Sequence, residues 1–247
     1  MVDIPTDLSL VDETGFAVGD VLGRSLSVFR RDFGKFILVT GIILLPDLAK
    51  SLIDSNGGPG NARAATSGWS IVSTALQVFA DVAVISAALA RMNGGMLSIW
   101  DAMREGGLRF RSALFATVLQ SVAVVLGLVL LIVPGLIAFA MMYVVLPVCV
   151  AEETGATASI NRSAALTKGH RWKVFGISLV TGAGAVIMVV VALLAIQFGG
   201  PAVGAFVIYL FQIIYLPFAA VVSVVVYRAL RLAKEGPTSQ TLAEVFA

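Results

Sequence analysis

Six apolar blocks, each of about membrane-spanning length, set the limits on what this chain can become. They cover residues 36–53, 69–90, 113–133, 136–151, 174–197 and 203–231. A spanning helix needs about 20 mostly apolar residues, because it rises ~1.5 Å per residue through a hydrocarbon core about 30 Å thick. Only 13% of the residues are charged, where a soluble domain carries about a quarter. The expectation is an all-α integral membrane protein with six transmembrane helices. Proline lacks a backbone donor, so Pro46, beside Asp47, predicts a kink or an early exit in the first block. Pro147 lies inside the fourth block, and Pro217 predicts a kink in the over-long sixth. Residues 54–68 read as a flexible polar loop, and Pro134-Gly135 and residues 198–202 read as tight turns.

Three stretches between the blocks are amphipathic rather than apolar. In residues 16–35, Val18, Val21, Leu22, Leu26 and Phe29 recur at helical spacing, while Asp20, Arg24, Ser27 and Arg31 lie off that stripe. Such a helix is too polar to span and suits either the headgroup region or a seat against the bundle. In residues 92–112, Ser98 and Asp101 resemble a capping box, and Gly106-Gly107 predicts the end of a short helix. In residues 152–173, Thr154 is the expected cap of a helix whose dipole favours Glu152 and Glu153, and Gly169 its stop. Basic-aromatic clusters close the three stretches: Arg30 to Lys35, Arg109-Phe110-Arg111, and Arg171-Trp172-Lys173. The pattern reads as three helical hairpins, each preceded by a cytoplasmic interfacial amphipathic helix. Ordinary basic cytoplasmic loops with interfacial aromatics would give the same pattern without a true repeat.

The placement of charge orients the chain. With both termini in the cytoplasm, 15 of the 17 Lys and Arg residues fall on that side, leaving only Lys50 and Arg63 outside. The positive-inside rule therefore predicts six spans with both ends in. The expected organisation is a cytoplasmic tail over residues 1–15, a transmembrane domain over 16–231 and a second cytoplasmic tail over 232–247. The acidic start lacks a basic region followed by an apolar one, so no cleavable signal is expected.

Few residues offer chemistry. Asp81 sits near the middle of the second block, where a carboxylate costs a few kcal/mol and often marks an ion or proton path. The structural alternative is a protonated Asp81 hydrogen-bonded to Ser73, Gln77, Ser86 or a neighbouring helix. Glu152 and Glu153 could form a carboxylate pair, but Arg162 is placed to reach back to Glu152 in a structural ion pair. Lys168, Arg171, Trp172 and Lys173 are candidate contacts to lipid headgroups, since basic residues at an anionic leaflet gain about 1 kcal/mol each; topology anchoring alone is the alternative. His170 is the only histidine and Cys149 the only cysteine, which excludes a His/Cys metal cluster and an intramolecular disulfide. The double glycines lack the Lys-Ser/Thr of a phosphate loop. No catalytic residue, cofactor or nucleic-acid partner is expected.

From Pro134 to Phe175 the chain carries Pro134-Gly135, an apolar run with Pro147, Glu152-x-x-Gly155, Arg162-Ser163, Leu166-x-Lys168-Gly169 and Trp172. This pattern resembles the YciC-like family of bacterial inner-membrane proteins, and the membrane domain joined to some glycerophosphodiester phosphodiesterases. The resemblance implies a six-helix membrane module of the bacterial inner membrane, of unknown biochemistry and tied to the envelope or its lipids. No catalytic residues carry over from the enzyme domain. The leading expectation is a non-enzymatic membrane module engaging inner-leaflet lipids, anionic ones foremost, or a membrane-protein partner. The alternative is a small transporter or channel using Asp81 and the proline-kinked helices.

Overall fold

The periodic stripe near the N-terminus forms helix α1, Val18–Arg31. Asp32 interrupts it with non-helical torsions, and α2 follows at once as Phe33–Asn56. The computed structural model describes residues 17–56, 62–95, 99–130 and 132–236. All regular structure among the described residues is helical. The remaining elements are α3 (Ala62–Met92), α4 (Ile99–Leu130), α5 (Ile132–Met142), α6 (Val145–Ala151), α7 (Ala156–Thr167) and α8 (Arg171–Glu235). The expected terminal tails lie largely outside the described residues, as does Ser98 of the capping box.

Four helices hold stretches long and apolar enough to cross a membrane: Phe33–Ser55, Gly68–Met92, Trp100–Gly127 and Arg171–Glu235. The last is two helices in sequence. Gly200 breaks it with φ +83° and ψ +173°, torsions open in practice only to glycine. Pro201 then starts the second limb, where a missing N–H is harmless. The turn expected over residues 198–202 is therefore present. Pro217 does not end the second limb, and Pro46 does not end α2, which runs on to Asn56.

Other expectations are corrected by the structure. The polar loop over 54–68 shrinks from both sides, since α2 reaches Asn56 and α3 begins at Ala62. Pro134-Gly135 is not the turn between helices. It lies in the first turn of α5, where proline forfeits no intrahelical bond. The fourth block is split, with α5 ending at Met142 and α6 starting at Val145, so Pro147 falls in the first turn of the short α6. Gly106-Gly107 does not end a helix either. Gly106 seats against Phe79 and Ala83 of α3, and the Phe110 ring meets Phe79 edge-on at 6.0 Å. That packing outweighs a helix-propensity cost of about 1 kcal/mol per glycine. The part of the second amphipathic stretch from Ile99 onward is thus the first part of α4.

Packing is uneven along the helices. In the second limb of α8, Val221, Val222, Val224, Val225, Val226, Ala229 and Leu230 are all fully buried. Helices α1, α2, α3, α5, α6 and α7 all pack on α8. Helix α1 buries Val21, Ser25 and Phe29, and the Phe29 ring meets Phe218 edge-on at 5.6 Å. It is therefore seated against the bundle. The far half of the molecule differs: Val186, Ile187, Val190, Leu193 and Phe198 of the first limb are all exposed.

Candidate headgroup-contact surface

The polar ends of the helices gather at one end of the bundle into a collar of ion pairs. Arg91, ending α3, places Nε 2.9 Å from Asp32 at the α1–α2 junction. Arg228 of α8 donates to the Met92 carbonyl at 3.1 Å and to Asn93. Arg109 of α4 binds Glu105 one turn back at 3.0 Å, Glu153 at 2.8 Å and the Val150 carbonyl. Lys234 donates to the Ala165 carbonyl of α7 at 2.8 Å. These bonds draw the ends of α3, α6, α7 and α8 to one side.

Glu152 and Arg162 stand at the centre of the collar. Arg162 Nε lies 3.0 Å from both Glu152 oxygens, and its other arm binds Glu235 near the end of α8. The Tyr227 hydroxyl donates to Glu152 at 3.1 Å, and Arg231 binds Glu235 at 3.0 Å. Hydrogen bonding to Glu235 and then Glu152 raises the Arg162 proton affinity, although partial burial works against it. Burial pushes the Glu235 carboxyl up, but its bonds to Arg162 and Arg231 outweigh this and leave it below the usual carboxylate range. The helix cap differs from expectation. Gly155 is the α7 N-cap, and Thr154 instead bonds Ser159 at 2.8 Å. Glu153 takes φ +54° as the chain turns into α7.

The α7–α8 corner carries the remaining sequence candidates. Lys168 is the α7 C-cap and Gly169 turns the chain with φ +94°. Trp172 is 84% exposed, with its ring edge-on to Phe175 at 6.2 Å. Arg171 and Lys173 are half-buried beside it, and Lys168 is exposed. Among the described residues Lys168 and Arg171 have no ion pair, and the buried Arg171 Nε has no hydrogen bond. Burial, then the charges of Lys173 and Lys234, lower the His170 proton affinity. Asp81 lies far along α3 from this corner. It is half-buried and makes no hydrogen bond or ion pair among the described residues. The bonds expected for it to Ser73, Gln77 or Ser86 are not made; the Ser86 hydroxyl is itself buried without a partner.

Sequence reasoning missed Glu235, Tyr227 and Arg109 as members of the collar. Glu105–Arg109 and Arg231–Glu235, each spaced four apart, left a local signal. No family model, curated protein or solved structure matches the chain.

Proposed function

We propose that the protein is a non-enzymatic membrane module whose collar faces the cytoplasm and engages anionic headgroups of the inner leaflet. Its six spans in this reading are α2, α3, α4, the α5–α6 pair and the two limbs of α8. With both termini inside, 15 of the 17 basic residues fall on the cytoplasmic side, which supports the orientation. The resemblance to the YciC-like family supports a bacterial inner membrane and an envelope-related role.

One observation carries the lipid reading. Arg91, Arg109, Arg162 and Arg231 are taken up by carboxylates, whereas Lys168 and Arg171, which like Arg30, Arg31, Arg104 and Arg111 have no ion pair among the described residues, flank a strongly exposed Trp172. Tryptophan favours the headgroup level, and a guanidinium matches a phosphate with two parallel donors. Lys173 and His170 enlarge the positive field around them. Native mass spectrometry of protein released in mild detergent tests the reading. Retained anionic lipid, lost on combined Lys168→Ala, Arg171→Ala and Trp172→Ala replacement, is the expected outcome. A lipid-free protein, or retention that ignores those replacements, would move the surface to a membrane-protein partner.

A further inference from the structure

We infer that α3 carries a polar half-channel, open at the end of the bundle away from the collar and ending on Asp81, that binds a small hard cation: a proton or Na⁺. The inference is independent of the lipid reading, since it uses a different helix and the opposite end of the molecule. At ~100° per residue, Ser70, Ser73, Thr74, Gln77 and Asp81 fall within an arc of about 100° on one face of α3. Ser70 and Thr74 are exposed, and Ser73, Gln77 and Asp81 are half-buried. Lipid offers these groups no hydrogen bonds, so a stripe of this kind belongs against water or a polar ligand.

The local bonds leave the deeper groups underused. Thr74 is satisfied by the Ser70 carbonyl at 2.8 Å. Gln77 makes a long 3.5 Å bond to Ser73. Asp81 makes none among the described residues. One and two turns further on, the same face is closed by Val84, 2% exposed, and Ala88, fully buried. Both belong to the core formed with Val148 of α6 and the valines of the second limb. The face bordering this stripe on the Ser73 side, through Ala80 and Ala83, packs on Val39 and Ile43 of α2. A carboxylate with amide and hydroxyl oxygens above it is a hard-oxygen donor set. Such donors suit a proton or an alkali cation rather than a soft metal.

Cysteine accessibility tests this in a Cys149→Ser background, since Cys149 is the sole native cysteine and is buried. Single Thr74→Cys, Gln77→Cys, Val84→Cys and Val190→Cys variants are reconstituted in vesicles. They are treated with a membrane-impermeant methanethiosulfonate added at the face away from the collar. Reaction needs a hydrated thiolate, so positions 74 and 77 are expected to react at least about tenfold faster than 84 and 190. Equal rates at all four positions would overturn the half-channel. The cation is then read at Gln77→Cys. Slowing by NaCl relative to choline chloride, abolished by Asp81→Asn, assigns Na⁺. No sodium effect, together with labelling of wild-type Asp81 by a lipid-soluble carbodiimide that fades as pH rises, assigns the proton. Neither response would overturn Asp81 as a cation site.

Discussion

Removing Glu152 should loosen the collar by an amount the geometry allows to be estimated. Glu152 accepts from Arg162 at 3.0 Å and from Tyr227 at 3.1 Å. The Arg162 contact is charge-assisted, but Arg162 is about a third exposed, so solvent screening holds its value to about 1 kcal/mol. The Tyr227 hydroxyl belongs to a side chain only 2% exposed and otherwise only accepts, from Arg231 at 3.5 Å; leaving its O–H donor without an acceptor costs about 1–2 kcal/mol. Glu152→Ala should therefore destabilise by about 2–3 kcal/mol, and Glu152→Gln, which keeps an acceptor for Tyr227, by about 1 kcal/mol. Arg162→Ala in both backgrounds closes a double-mutant cycle, read as unfolding free energy by steric trapping in mild detergent. The expected coupling is about 1 kcal/mol, and a value within about 0.3 kcal/mol of zero would refute the pairing. Full charge reversal is less clean. Arg162 also binds Glu235, so Arg162→Glu sets two acids together, and Glu152→Arg with Arg162→Glu should rescue only in part until Glu235 is reversed as well.

Three further outcomes follow from particular residues. His170 has a lowered proton affinity, so its contribution to stability is full above its unfolded pKa of about 6.5 and is lost as pH falls below that value. The melting temperature should drop over that window in neutral detergent, and the His170→Gln variant should show a smaller drop. Gly200→Ala forces a side chain into φ +83° and should destabilise by about 1–3 kcal/mol, seen as a lower melting temperature; an unchanged value would mean the break is not needed. Thiol labelling of single cysteines should place residue 168 in the cytoplasm and residue 63 outside, and the reverse pattern would invert the proposed orientation.

The legible part of the fold was whatever short-range pattern encodes. The period of Val18, Val21, Leu22 and Phe29 specified α1, and the turn near Gly200 was marked by Gly199-Gly200-Pro201. Glu152 and Arg162 were close enough in sequence for a reach-back pair to be imagined, and the structure brings them together. What sequence could not supply was tertiary override. Gly106-Gly107 reads as a stop, yet Phe79 and Ala83 hold α4 helical through it. Pro134 reads as a turn, yet helix ends tolerate proline in their first turn. The Arg162–Glu235 and Tyr227–Glu152 contacts join residues more than seventy positions apart, and no local signal announces such a pair. The polar face of α3 was present in the letters all along, but burial of Val84 and Ala88 was needed to see where it stops.

The most direct test of headgroup binding uses Trp172 as its own reporter. Trp69→Phe and Trp100→Phe leave it as the single tryptophan, since the chain has three. The protein is reconstituted with brominated phosphatidylglycerol or brominated phosphatidylcholine at equal mole fraction. The account predicts stronger quenching by the anionic lipid, with the preference lost in Lys168→Ala, Arg171→Ala protein. Equal quenching by the two lipids, or a preference that survives those replacements, would contradict it.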